Sequence, residues 1–349
     1  MSTRNCSSCG VRRLATPLAK SVLAVGIALA FASHVSLAQD IPYIKKTQKT
    51  MRLAHGVVAG SPYDLGAHRF AELVDQYTRR TIQVKVFPNS QLGLEQNTAK
   101  DVQLGTLDLT LVAINNASIW YKPLDITIMP FIFRDRDHAN AVVNGPVGKE
   151  LFEEHRKASG VRIISVFEWG DRAIINKIRA INKPDDLKGV KLRLPKNAVM
   201  LDTYAALGAT TAAIDWGELY TALQQGVADG LEGPPQGMID MKFTDFLKNY
   251  SYINIFYGLS VILINDKAFL ALPKEHQDAI TRAGVEAGEY QRWVSAVSHI
   301  DGLKKLQDIG VKVNVVGDRD AFVKAVQPVY EKYRKEIGED WFKKVADAK

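Results

Sequence analysis

The stretch G-V-K-L-R-L-P-K-N-A-V, residues 189–199, decides how this chain is read. Val190, Leu192 and Leu194 alternate with Lys191 and Arg193, the period of a strand with one buried face. Pro195 ends that strand, and Asn197 is placed to cap a following helix. Arg193 thus falls at the carboxyl end of a strand beside a helix start, where ligands bind in open α/β sheets. A guanidinium there has a ready use, the two-pronged grip on a carboxylate. Spacing alone leaves the choice open between that use and an ordinary ion pair.

The amino terminus differs in character from the rest of the chain. Arg4, Arg12, Arg13 and Lys20 form a basic region without an acidic residue, followed by the apolar run Ser21 to Ala32 and by Ser36-Leu37-Ala38. This is the pattern of a secretory signal peptide over residues 1–38, cleaved near Ala38. Its apolar run is too short for a permanent membrane span. Removing its four basic residues lowers the formal balance from +7 to +3, which takes support from a nucleic-acid footprint. Cys6 and Cys9 leave with it, so neither disulfides nor thiol chemistry serve the mature chain. The remaining residues suffice for two domains. A soluble, unanchored periplasmic monomer is expected.

Residues 51–58 begin the first strand, Pro62 opens an amphipathic helix to about Arg80, and 82–87 alternates as a strand. A helix over 95–104 and a strand over 107–113 follow. This β-α-β-α-β succession predicts an α/β fold with mixed sheets flanked by helices. A strand over 161–167, a boundary at Glu168-Trp169-Gly170-Asp171 and a new strand over 172–177 are expected next. The second unit carries strands 190–194 and 210–214 and helices 198–207 and 217–226, and Asp229 to Pro235 ends it with a rigid turn. Ser251 to Asn265 reads as two strands meeting at Gly258. A helix of roughly 50 Å over 273–309 is long enough to cross both domains. A strand over 311–315 and one helical tail, 318–337, complete the chain. The expected division is domain I, residues 39–170 with 258–298, and domain II, residues 171–257 with 299–349, around a ligand cleft.

No nucleophile elbow, zinc-protease, dinucleotide or P-loop motif is present. The histidines have no metal-ligand spacing, and aromatic residues do not interleave with basic ones as a nucleic-acid platform requires. No residue is nominated as a catalyst, and neither cofactor nor metal is expected.

Five stretches carry a family resemblance: V-F-P-N-S-Q-L-G (86–93), Q-L-G-T-L-D-L-T (103–110), M-P-F-I-F-R-D (129–135), K-P-D-D-L-K-G-V-K-L-R-L-P (183–195) and G-E-L-Y-T-A-L-Q-Q-G-V-A-D-G-L-E-G-P (217–234). In that order, over roughly residues 50–340, the chain resembles the DctP-type solute-binding proteins of tripartite ATP-independent periplasmic (TRAP) transporters. The resemblance implies a two-domain periplasmic-binding-protein fold that closes on a small organic acid and hands it to a TRAP membrane permease. It gives Arg193 the salt bridge to the ligand's carboxylate and Arg172 a second contact to the acid. It sets Trp216 as an aromatic ring against the ligand. It brings Glu95, His55, Asn115 and Asn116 to cleft-facing loops of domain I.

One departure stands out. After D-G-L-E the family commonly has asparagine and then proline; here Glu232 is followed by Gly233 and Pro234. A glycine leaves room for a larger ligand, or for Gln236 or a water to take the missing contact. Phe256, with Tyr252 and Tyr257, is a further pocket-lining candidate, with core packing the alternative. The expected ligand is a sugar acid, a uronate or aldonate; C4-dicarboxylates, sialic acid, and 2-oxo and hydroxy acids stay open. A secreted enzyme on a carboxylated substrate, or a receptor presenting its ligand to a membrane sensor, are the readings from other classes.

Overall fold

The structure, a computed structural model, describes residues 46–349. The signal segment, its cleavage near Ala38 and the Cys6/Cys9 pair lie outside the described residues. Strands β1 (Lys49–His55), β2 (Ile82–Phe87) and β3 (Leu109–Ala113) are joined by helices α1 (Pro62–Tyr77) and α2 (Glu95–Leu104). Ser61 caps α1 by accepting from the Asp64 amide, with Pro62 preset for the first turn. Helices α3 (Arg136–Asn144) and α4 (Pro146–Ser159) lead into the long strand β4 (Val161–Asn176). Then come β5 (Lys191–Leu194), α5 (Ala198–Ala206), β6 (Thr210–Ala213), α6 (Leu219–Gln224), β7 (Gly230–Gly233) and α7 (Pro235–Asp240). A second long strand, β8 (Asn249–Asn265), precedes α8 (Asp266–Leu270), α9 (Lys274–Asp308) and β9 (Lys312–Val315). Helices α10 (Arg319–Ala325), α11 (Gln327–Ile337) and α12 (Glu339–Asp347) end the chain.

The nine strands of the described residues belong to one mixed sheet, ordered β2-β1-β3-β8-β4-β7-β5-β6, with β9 also on β8. β8 and β4 run antiparallel down its middle, and each serves both halves. Residues 260–264 of β8 pair with β3, while residues 249–252 pair with β9. Residues 173–176 of β4 pair with β7. The core of the first half packs Leu53, Leu111, Phe70 and Leu73 against Ile280 and Ala283 of α9. The second half packs Ile175, Leu231, Leu219 and Phe243 against Leu306 of the same helix. At 35 residues, α9 is about 52 Å long and supports both.

Four local expectations are corrected. Residues 161–176 form one strand without a break at 168–171, because bulges at Ile163/Ser165, Glu168/Gly170 and Arg172/Ile174 absorb the irregularities while β8 continues the ladder. Residues 249–265 are likewise one strand, with Gly258 paired to Gly170 at its middle. The glycine-rich segment 229–235 is no turn: 230–233 form buried strand β7 between β4 and β5. A Cβ at Gly230 would lie 2.3 Å from the Ile175 carbonyl oxygen, so glycine is required by close approach. The tail helix expected over 318–337 is two, broken ahead of Pro328, and a further helix follows Gly338, whose φ of 98° suits glycine.

Because that approach is to backbone, Gly230→Ala is expected to destabilise the fold by about 1–3 kcal/mol or more. Urea unfolding reads this as a lower midpoint; an unchanged midpoint would remove the close-approach argument.

Candidate functional site

Strand β5 delivers Arg193 to its carboxyl end, and Asn197 caps α5 by accepting from the Met200 amide at 3.1 Å. The side chain is 3% exposed. Its Nε donates to the Ile214 carbonyl oxygen at 2.7 Å, which fixes the plane of the guanidinium. Its Cζ lies 5.7 Å from the centre of the Trp216 ring, within cation–π range. Among the described residues Arg193 makes no ion pair. Burial pushes its pKa down to about 10, against the pull of Glu232 and Glu95, so it remains a cation at neutral pH.

Arg172, on β4, is committed differently. Its Nη2 donates to Glu232 Oε1 at 2.6 Å and its Nε to Oε2, a bidentate fork on a carboxylate with no exposed surface. The fork joins β4 to β7 and cancels both charges locally.

These residues line a cavity of about 410 Å³ together with Glu95, Ala113, Asn115, Trp169, Pro195, Trp216 and Gly233. The buried amide nitrogen of Asn115 and the indole nitrogen of Trp216 have no hydrogen-bond partner. Buried donors are seldom left unpaired. Both residues line the cavity beside Arg193. Glu95 is partly exposed at the start of α2 and accepts from Asn116 Nδ2 at 2.6 Å. Burial raises its pKa to about 7, although the Ala113 amide and the two arginines favour the anion. Asn116 therefore holds Glu95 at an adjoining cavity of about 340 Å³ that Arg193 and Trp216 also line.

Two expected residues stand apart. His55 is 2% exposed and does not line the cavity; its Nε2 faces Asp64 Oδ1 at 3.0 Å, and its Nδ1 accepts from the Val57 amide. It ties the end of β1 to α1. Phe256 is 2% exposed and packs against Tyr204, with ring centres 5.9 Å apart. On β8 it points into the core, the alternative that the sequence left open. Gln236 does not take the missing contact at Gly233, since its amide donates to Asp240 Oδ1 at 2.5 Å. A Cβ at Gly233 would come within 2.6 Å of Met238 Cε, so Met238 occupies the space a side chain would need.

Trp169 was missed as a site residue. It lines the cavity and tilts against Trp216 at 5.4 Å, with Tyr63 behind it at 5.1 Å. Its place between two apparent strands read as a boundary. The available signal was a large aromatic ring beside Gly170 at a crossover. Among the described residues no three histidine, cysteine, aspartate or glutamate side chains cluster as metal ligands would, and no helix is long and apolar enough to cross a membrane.

Comparison with known proteins adds lineage to this geometry. The family model DctP, bacterial extracellular solute-binding protein family 7, matches residues 53–336. A solute-binding protein of Verminephrobacter eiseniae is 31% identical over 86% of this chain and 90% of its own length. The sugar acid binding protein DctPAm of Advenella mimigardefordensis, solved in complex with galactonate, superposes with a TM-score of 0.83. It is 29% identical and covers 87% of this chain and 98% of its own. A TRAP periplasmic solute-binding protein of Roseobacter denitrificans with bound β-D-glucuronate also gives 0.83, at 25% identity over 86% of this chain and 100% of its own.

The raised pKa of Glu95 has a consequence for the free protein. A carboxyl whose pKa is higher folded than unfolded stabilises the fold fully below the unfolded value, and that contribution is lost as pH rises through the folded one. The stability of the wild type relative to Glu95→Gln is therefore expected to fall between pH 4.5 and about 7 and to be flat above. Thermal unfolding of both proteins across that range is the check, and parallel curves would refute it.

Proposed function

The chain belongs to the DctP family of extracellular solute-binding proteins, and from that premise we propose that it captures a sugar acid, an aldonate or uronate, for a TRAP permease. One observation carries the reading: of the two arginines in the cavity, only Arg193 lacks a carboxylate partner. A buried cation left alone costs several kcal/mol, and a ligand carboxylate offsets that cost. Asn115 and Trp216 supply further donors for hydroxyl or carboxylate oxygens, and Glu95 supplies an acceptor. The Trp216 and Trp169 rings give the apolar face of a sugar a surface to lie on.

The same charges argue for one carboxylate over two. Glu232 consumes Arg172, so a second ligand carboxylate would meet Glu95 and Glu232 with no free arginine to receive it. That weighs against a C4-dicarboxylate. Galactonate and glucuronate in the two related structures support the choice of a hydroxylated monoacid.

Capture proceeds by closure of two lobes, residues 39–170 with 258–298 and residues 171–257 with 299–349. Support comes from the sheet, whose halves share β4 and β8 and meet at the Gly170–Gly258 pair, a natural place for backbone to bend. The signal peptide directs the chain to the periplasm, with cleavage near Ala38. Binding without turnover separates this reading from that of a secreted enzyme, and calorimetry with a sugar acid makes the distinction.

Arg193→Ala is expected to abolish the thermal shift given by galactonate or glucuronate while the free protein still unfolds cooperatively. At least a hundredfold loss of affinity corresponds to removing a charge-assisted fork of about 3 kcal/mol. A retained shift in the variant would remove Arg193 from the anchor role. Tighter binding of succinate than of either sugar acid would overturn the ligand class.

A further inference from the structure

The inner face of α9 is committed to the two halves of the sheet, yet its outer face is also apolar. Val285, Trp293, Val297 and Ile300 are 56, 64, 43 and 72% exposed. At positions i, i+8, i+12 and i+15 they fall on one stripe of the helix, with Glu289, Ala296 and Lys304 between and beyond them. A lone exposed leucine needs no account, but a continuous stripe centred on a tryptophan does.

We infer that this stripe is a self-association surface on which α9 of a second copy of this chain packs antiparallel, with the two-fold axis between Ala296 and Val297. The stripe is complementary to itself in charge and in apolar contact. In that register Trp293 of each copy lies against Ile300 of the other, and Glu289 of each lies against Lys304. Glu289 has no ion-pair partner among the described residues, and Lys304 has only an exposed neighbour one turn away, Asp308. The neighbouring registers lose the charge pairing. Sliding one heptad toward the amino terminus brings the two Trp293 rings together but sets Arg282 against Lys304, two like charges. Sliding one heptad toward the carboxyl terminus sets Trp293 against Gln307 and removes Glu289 from the pairing. An isologous contact is self-complementary by symmetry, so a single stripe suffices to build it.

The contact is small. The stripe from Val285 to Lys304 is roughly 28 Å long at 1.5 Å per residue. A pair of such helices buries less than the roughly 1,600 Å² of a standard stable interface. The dimer is therefore weak and concentration-dependent, with a dissociation constant on the order of micromolar. It departs from the expectation of a monomer, and it does not depend on the identity of the bound acid.

Sedimentation velocity on the exported protein, from about 1 to 100 μM, tests this. The expected result is a shift from monomer to dimer across that range. Trp293→Glu, at an exposed site that the fold does not need, should stay monomeric throughout. Glu289→Lys should weaken the dimer about tenfold, and adding Lys304→Glu should restore it. Val315→Glu, exposed on β9 away from the stripe, should dimerise as the wild type does. A wild type that is monomeric over the whole range, a dimer that survives Trp293→Glu, or a charge swap that restores nothing would each overturn the inference.

Discussion

A guanidinium held at 3% exposure without a carboxylate beside it is the constraint on which the rest of the cleft depends. Burying an unpaired charge is costly enough to consume much of a domain's net stability. Arg193 is tolerated because its Nε is satisfied by the Ile214 carbonyl oxygen, the Trp216 ring lies within cation–π range, and Glu95 and Glu232 lower the local potential. None of these is a formal neutralising partner. The cost that remains is what the proposed carboxylate would offset on entering the cavity.

The Arg172–Glu232 fork matters for the opposite reason. It is internally neutral, fully buried at the glutamate and shared between β4 and β7, so it fixes the cavity wall without demanding a ligand. Two arginines lining one cavity thus differ: Arg172 is paired, and Arg193 makes no ion pair among the described residues. Glu95 stands between these two cases: burial raises its pKa to about 7, and Asn116 holds its carboxyl group in place.

Much of the fold was legible because it is written in local periods. The alternation at 82–87 and 190–194, the caps at Ser61 and Asn197, and the apolar spacing of the long helix each depend on residues within a few positions of one another. The three misread strand segments share one cause. Glycines at 170, 230 and 258 are punctuation when seen locally, but in the sheet they lie within continuous strands, where a neighbouring backbone or a bulge needs the missing Cβ. The same blindness hid Trp169, whose partners Tyr63 and Trp216 are distant in sequence.

The family, the α/β class, the long helix and the candidacy of Arg193 are all written in residue order, because motifs and periodicity are properties of neighbouring residues. Which arginine lacks an ion pair among the described residues is a matter of packing. Glu232 lies sixty positions from Arg172, and no spacing rule predicts that their side chains meet. The tertiary structure also removed His55 and Phe256 from the cavity by giving each a buried partner, and it revealed that one stripe of α9 is left uncovered. Pairing and exposure are set by the packing of distant segments, and a linear reading has no access to them.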